Sequence, residues 1–394
     1  MSEAKTIKAA VIGLGSRGRN VFNNLLRDSN RQVVPVAAYD PDPAVMRETI
    51  DIWGSSDVTK PCTSYQEAIN TPGVEWVMVF SPNVNHKEHI ISAFKAGKNV
   101  FSEKPLATTI EDCRAIYEAY KASGKLFATG FVLRYASIYR KVKEILSSGK
   151  LGYLIAIDAN ENIAPAHGGY IMCNWRRHTS QAGPHILEKC CHDLDLINWF
   201  CESLPTKVAS FGGRNFFIPA NRKLEEKYGV KRFKSWWDPH ATETPFSGDT
   251  DLMDNSVSVI EYRNQIRVTF MATMSNIMPE RRMYFSCSEG NLRLDLYSQK
   301  LEVRKLGDEG ILQLDIPGDG HGGGDDHIMK ELYESMTTGA LPKCSGDEGL
   351  QSAVLALALD QAAKSGSVVD LEPIWKSFNR YEFRQVRQNL KVQF

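Results

Sequence analysis

The sequence predicts two domains of different class: an α/β domain built on a doubly wound parallel sheet, then an α+β domain whose mostly antiparallel open sheet is covered by helices. Three observations carry this expectation. Strand-like and helix-like segments alternate through the first 130 residues, as crossover connections between parallel strands require. Glycines 13, 15 and 18 stand where the first strand hands over to the first helix. Beyond residue 250 the apolar period shortens to two. At 394 residues the chain exceeds the size at which one core keeps growing, so a break near Gly130 is expected, giving domains 1–130 and 131–394.

In chain order, strands are expected at 8–12, 32–39, 76–80, 99–102 and 126–130, and helices at 17–26, 44–53, 65–70, 86–96 and 110–123. A connecting helix at 138–146 leads into the second domain. There Ile266, Val268 and Phe270 alternate with polar neighbours, preceded by Val257 and Val259 across a turn near Asn264, which reads as an antiparallel hairpin. Leu292, Leu294 and Leu296 repeat the pattern. Helical periodicity returns at 326–336 and 349–364, and these helices are expected to pack back toward the first domain.

Charge is balanced, with 47 basic and 47 acidic residues, so nothing favours a nucleic-acid or membrane-surface partner. No apolar run approaches the roughly 18 residues of a membrane span. The first residues lack the apolar core of a secretion signal, and the expected location is the cytoplasm. The eight cysteines then read as reduced, buried thiols. Cys190-Cys191-His192 has no second Cys-x-x-Cys pair to complete a zinc set, so no metal site is expected.

The glycine triplet gives the first chemical reading. Gly13 permits a tight turn, Gly15 lets backbone approach a pyrophosphate, and Gly18 lets the helix pack against the strand, so the free amides and positive dipole end face the phosphates. Ser16 and Arg17 open that helix; Arg17 either reaches a phosphate or the adenine, or stays solvated. The second strand ends in Asp40, 22 residues beyond Gly18, where an acid accepts from both ribose hydroxyls and repels a 2′-phosphate. This Rossmann pattern predicts NAD rather than NADP. The alternative for Asp40 is a helix cap.

Two further segments fall at the carboxyl ends of later strands, where ligands bind on open parallel sheets. They are Ser81-Pro82-Asn83 with His86, and Glu103-Lys104-Pro105. The Lys104 ammonium can donate to a substrate hydroxyl and favour the alkoxide, or simply pair with Glu103. In the second domain, Glu188, His192 and Asp195, at spacings of four and three, form one stripe on a helix, a base with a carboxylate beside it or a satisfied structural histidine. Tyr170, Trp175 and Arg176 suit sugar hydroxyls and ring faces, or a subunit contact. The segment from His321 to Asp325 either brings His321 to the same cleft or is a flexible loop in which Asp325 is a helix cap, and the loop and cap is the expectation.

In their order and spacing, these segments resemble the Gfo/Idh/MocA family of glucose-fructose oxidoreductases and inositol dehydrogenases. The resemblance extends through Gly130-Phe131-Val132-Leu133-Arg134-Tyr135, similar to that family's domain-crossing segment, and Glu188 to Asp195, similar to its second catalytic segment. It implies that Lys104 and His192 flank the substrate beside the nicotinamide, with Arg134 and Asp195 among the substrate contacts. Glu188 stands where inositol dehydrogenases carry an aspartate; it either orients His192 or meets a substrate hydroxyl, and its greater length argues against inositol itself. The implied activity is NAD-dependent oxidation of a secondary hydroxyl of a sugar, glycoside or cyclic polyol, in a homodimer or homotetramer formed through the sheet. An NAD-dependent glycoside-cleaving enzyme and a non-catalytic nucleotide sensor remain the alternatives.

Overall fold

A computed structural model describes residues 6–236, 241–318 and 320–378; the end of the second expected domain, 379–394, lies outside the described residues. They form two compact units, one within Met1–Ala136 and Asp319–Ala353, the other within Ser137–Gly318 and Val354–Phe394.

The first unit is a six-stranded parallel sheet of β1 (Ile7–Ile12), β2 (Val33–Tyr39), β3 (Lys60–Pro61), β4 (Trp76–Val79), β5 (Asn99–Ser102) and β6 (Phe127–Thr129), in the order β3-β2-β1-β4-β5-β6. Every residue of β1 except Lys8 is buried, because crossover helices cover both faces, and from Ala9 to Ile12 its sequence is accordingly an unbroken apolar run. β3 lacks any such run: two exposed residues ending in proline at the sheet edge give no periodic signal, and the sequence reading passes over it. The helices Ser16–Asp28, Pro43–Ile52, Tyr65–Ile69, Asn83–Lys95 and Ile110–Ser123 fall where the apolar period places them. Strand order reverses between β1 and β4, so the glycine turn after β1 and Ser81 after β4 flank the switch point, with the residues after β5 one strand further on. The returning helix Gly324–Thr338 packs against Ser16–Asp28.

The second unit holds a nine-stranded mixed sheet of β7 (Leu154–Asn162), β8 (Pro205–Gly213), β9 (Asn255–Tyr262), β10 (Arg267–Thr273), β11 (Arg282–Cys287), β12 (Gly290–Asp295), β13 (Lys300–Lys305), β14 (Leu312–Asp315) and β15 (Val369–Asp370). The expected hairpin is β9 with β10, and β11 to β14 continue as an antiparallel meander. β7 enters between β10 and β11, parallel to the first and antiparallel to the second. The helix Cys191–Cys201 is buried on nearly every side and lays Phe200 edge-on against Phe285 of β11, ring centres 5.2 Å apart. On the other face Phe211, Val257 and Met271, paired across β8, β9 and β10, are exposed.

One expected element is corrected. Residues 188–195 are not a single helix: a short helix, His185–Glu188, ends before Cys191–Cys201 begins, with Lys189 and Cys190 between them. The break coincides with divergent anchoring, since the Glu188 carboxylate is drawn to Arg176 at 2.8 Å while the Lys189 ammonium lies 3.6 Å from Glu161.

Candidate active site

The cofactor side is built by backbone. Gly13 has φ +85°, and a Cβ there would lie 2.5 Å from the Ser81 amide nitrogen; a Cβ on Gly18 would overlap the Gly13 carbonyl oxygen. Gly15 differs, because a Cβ there would meet nothing within 4 Å: the outer side of the turn is open. Gly15 is also the N-cap of the helix, without a side-chain cap and with no acid in the first turn, so the helix start retains its donors and its positive dipole end. Ser16 is exposed at this start. The Asp40 carboxylate braces the turn, accepting from the Leu14 amide at 2.8 Å through Oδ2 and from the Asp42 amide at 3.0 Å through Oδ1. It is Asp42 that caps Pro43–Ile52, accepting from Ala44 at 2.8 Å. These residues fit a dinucleotide: an open glycine cradle at a helix start, with a carboxylate at the end of the second strand.

Beyond β4, the Ser81 hydroxyl lies 2.9 Å from His89 Nδ1, and Asn83 is buried in the first turn of its helix. His86 is a tie between loops, with Nδ1 2.7 Å from the Pro105 carbonyl and Nε2 2.7 Å from that of Ser81. Burial lowers its pKa against the pull of those carbonyls, and the neutral ring, lying between the loop after β4 and the loop after β5, donates its one N–H to only one of the two carbonyls. Half-buried Lys104 is fixed just past β5, its amide donating to Glu103 Oε2 at 3.1 Å and its bond to Pro105 cis.

Arg17 is held by two carboxylates, Glu103 Oε1 at 2.7 Å and Asp325 Oδ1 at 2.8 Å. Burial opposes the guanidinium, but the two acids outweigh it and raise its pKa. Asp325 therefore is not the cap expected from sequence: Gly323 occupies that position, and the charge-assisted pair with Arg17, together with His321 Nδ1 at 2.7 Å, takes the carboxylate. These contacts bring its pKa down to about 2 against burial. The Arg17–Asp325 pair spans 308 residues and left no signal in the sequence. Arg134 lies in the short 3-10 turn Val132–Tyr135 of this unit.

In the second unit His192 and Asp195 are buried on Cys191–Cys201. On the same helix Asp193 receives a fork from Arg281, Nε at 2.7 Å and Nη2 at 2.6 Å, and Arg281 also lies 3.2 Å from Glu161 of β7. Burial pushes the Asp193 carboxyl up, while Arg281 and Lys189 hold Glu161 down despite burial. The motif reading missed Glu161 and Arg281; an ionisable residue inside an apolar strand pattern was the available signal for Glu161. Glu188 receives Arg176 Nε at 2.8 Å; Arg176 Nη1 donates to the Tyr170 hydroxyl at 3.2 Å, and its guanidinium lies 4.3 Å from the Trp175 ring centre. Arg177 and His178, from the same aromatic and basic stretch, face Asp249 instead. All eight cysteines are buried free thiols, and burial pushes Cys190 far above the ordinary thiol range. Among the described residues no three His, Cys, Asp or Glu side chains gather as a metal site, and no helix is long and apolar enough to cross a membrane.

A glycine cradle at the switch point of a parallel sheet, followed by a domain built on an open mixed sheet, defines a dinucleotide-dependent oxidoreductase. The chain belongs to the Gfo/Idh/MocA oxidoreductase family: the model of its NAD-binding Rossmann fold matches residues 7–131, and that of its C-terminal alpha/beta domain matches residues 143–371. Among its relatives, 1,5-anhydro-D-fructose reductase of Ensifer adhaerens is 22% identical over 380 residues, covering 92% of this chain and 98% of that protein. Inositol 2-dehydrogenase 3 of Saccharopolyspora erythraea is 31% identical over 202 residues, covering 50% of this chain and 54% of its own length. In fold, the chain is similar to levoglucosan dehydrogenase solved with NADH and levoglucosan, at a TM-score of 0.76 and 18% identity, covering 93% of this chain and 99% of that one.

Proposed function

We propose that this oxidoreductase oxidises a secondary hydroxyl of a sugar, glycoside or cyclic polyol. The observation that carries the reading is the position of Lys104, fixed just past β5, one strand beyond the switch point that the glycine cradle flanks. NAD, when bound, supplies the hydride acceptor. The Lys104 ammonium donates a hydrogen bond to the reacting hydroxyl and stabilises the charge that develops on its oxygen. The His192 imidazole takes the hydroxyl proton, and Asp195 and Arg134 hold neighbouring hydroxyls. Glu188 holds Arg176 in place, and in this reading the guanidinium lies at the sugar rim. Relatives named for anhydrofructose and inositol support a carbohydrate or polyol substrate.

Asp40 favours NAD over NADP by repelling a 2′-phosphate. The apolar row Phe211, Val257 and Met271 on the open sheet face supports self-association as a dimer or tetramer, and eight free buried thiols suit the cytoplasm. The test of the reaction is NADH absorbance against a panel of sugars, inositols and glycosides; silence across that panel, with NAD demonstrably bound, sinks the dehydrogenase assignment. Equal NAD and NADP affinities would remove the role given to Asp40, and a monomeric mass by light scattering at micromolar protein would remove self-association.

A further inference from the structure

Trp236 lies outside the site assigned above. Its indole is 61% exposed, and its backbone stands in the left-handed region at φ +57°, which a bulky residue keeps only where its surroundings impose it. The chain just before it is anchored. The Ser235 amide and hydroxyl both donate to the Ala166 carbonyl, at 3.1 and 3.0 Å, and Phe233 is buried with Ile171, Met172, Phe217 and Phe246. This approach requires glycine at 169, where a Cβ would overlap the Phe233 carbonyl oxygen. The segment thereby delivers Trp236 onto the helix Pro165–Cys173, with its indole perpendicular to the rings of His167 (4.9 Å, 88°) and Tyr170 (5.0 Å, 78°).

We propose that Trp236, propped by Tyr170 and His167, is a stacking platform for the non-reacting ring of a neutral glycoside or oligosaccharide, so that the substrate class is a sugar of two or more rings. The assignment of the other ring as the reacting one rests on the dehydrogenase reading above. An exposed indole offers a flat apolar surface to the C–H face of a pyranose, while the polar rim of the ring needs donors nearby. Those donors are in place: the Tyr170 hydroxyl meets Arg176 at 3.2 Å, and Arg176 meets Glu188 at 2.8 Å, in the segment that leads to His192. Burial holds His167 down to about 3, so its imidazole is neutral, and the Arg176 charge is matched by Glu188. The platform therefore suits an uncharged sugar.

The test compares two-ring probes (cellobiose, maltose, lactose) with one-ring probes (D-glucose, myo-inositol) on wild type, Trp236→Ala and Trp236→Phe. With the NADH-loaded protein, calorimetric affinity for the preferred two-ring probe should fall about five- to tenfold in Trp236→Ala and recover most of that loss in Trp236→Phe, the range expected for one aromatic contact. In turnover the same change should appear in KM, with kcat unaltered and one-ring probes shifted less than twofold. Equal shifts for one-ring and two-ring probes, an unaltered two-ring affinity in Trp236→Ala, or a wild type that binds no two-ring probe overturns the platform. A wild type that binds two-ring sugars through Trp236 but forms no NADH with any of them overturns the dehydrogenase reading and leaves the platform standing.

Discussion

The two units carry their chemistry in different materials. In the first, the cradle is made by backbone over six consecutive residues, Gly13 to Gly18, and is governed by where a Cβ can or cannot stand. In the second, charges are gathered from a strand, a helix and a loop, Glu161, Asp193 and Arg281, onto the helix that carries His192. A local backbone device is broken by one methyl group, whereas a buried charge cluster is broken by an imbalance of charge.

The largest effect belongs to the charge cluster. Arg281→Ala leaves Asp193 and Glu161 buried without their shared cation and should cost about 3–5 kcal/mol in denaturant unfolding, the range for breaking a buried pair. Replacing the three together by Met, Asn and Gln should cost much less. A single-variant loss below about 1 kcal/mol would show that the cluster does not support the helix. Next come Lys104→Ala and His192→Ala, each lowering kcat by about a hundredfold or more while NAD affinity stays within a few fold. A His192 variant with nearly full rate would move the base elsewhere and make Lys104 the leading candidate.

Gly13→Ala sharpens the contrast from the other side. The left-handed backbone and the 2.5 Å approach to Ser81 should weaken NADH binding about tenfold or more in a fluorescence titration, while Arg176→Ala in the second unit leaves it unchanged. Stability against pH follows from histidines buried neutral. Burial brings His185 and His89 down to about 4 and His167 to about 3, so below pH 6.5 the unfolded chain binds protons that the folded one refuses. Stability is thus full above about pH 6.5 and falls as pH drops toward 4, with each histidine contributing on the order of 1 kcal/mol or more at pH 5. Thermal unfolding at pH 7.5 and 5 reads this, and His185→Gln should flatten the slope. The smallest effect is Glu188→Gln: loss of its charge on Arg176 should raise KM a few fold with little change in kcat, and the reverse pattern would place Glu188 in the proton transfer itself.

Five strands, their helices and the glycine turn were legible because each is specified by residues adjacent in the chain: apolar runs, turn glycines and caps. The β9–β10 hairpin and the following meander were legible for the same reason. Tertiary structure alone decided what joins distant residues. It wedged β7 between β10 and β11, divided the stretch from Glu188 to Asp195 into two helices, and turned Asp325 from a helix cap into the partner of Arg17. It also brought Trp236 onto Tyr170 and Arg281 onto Asp193. Periodicity reports which side of an element is buried, but not which distant charge or ring will meet it there. That choice is made by packing and by the need to pair every buried charge once water has been excluded.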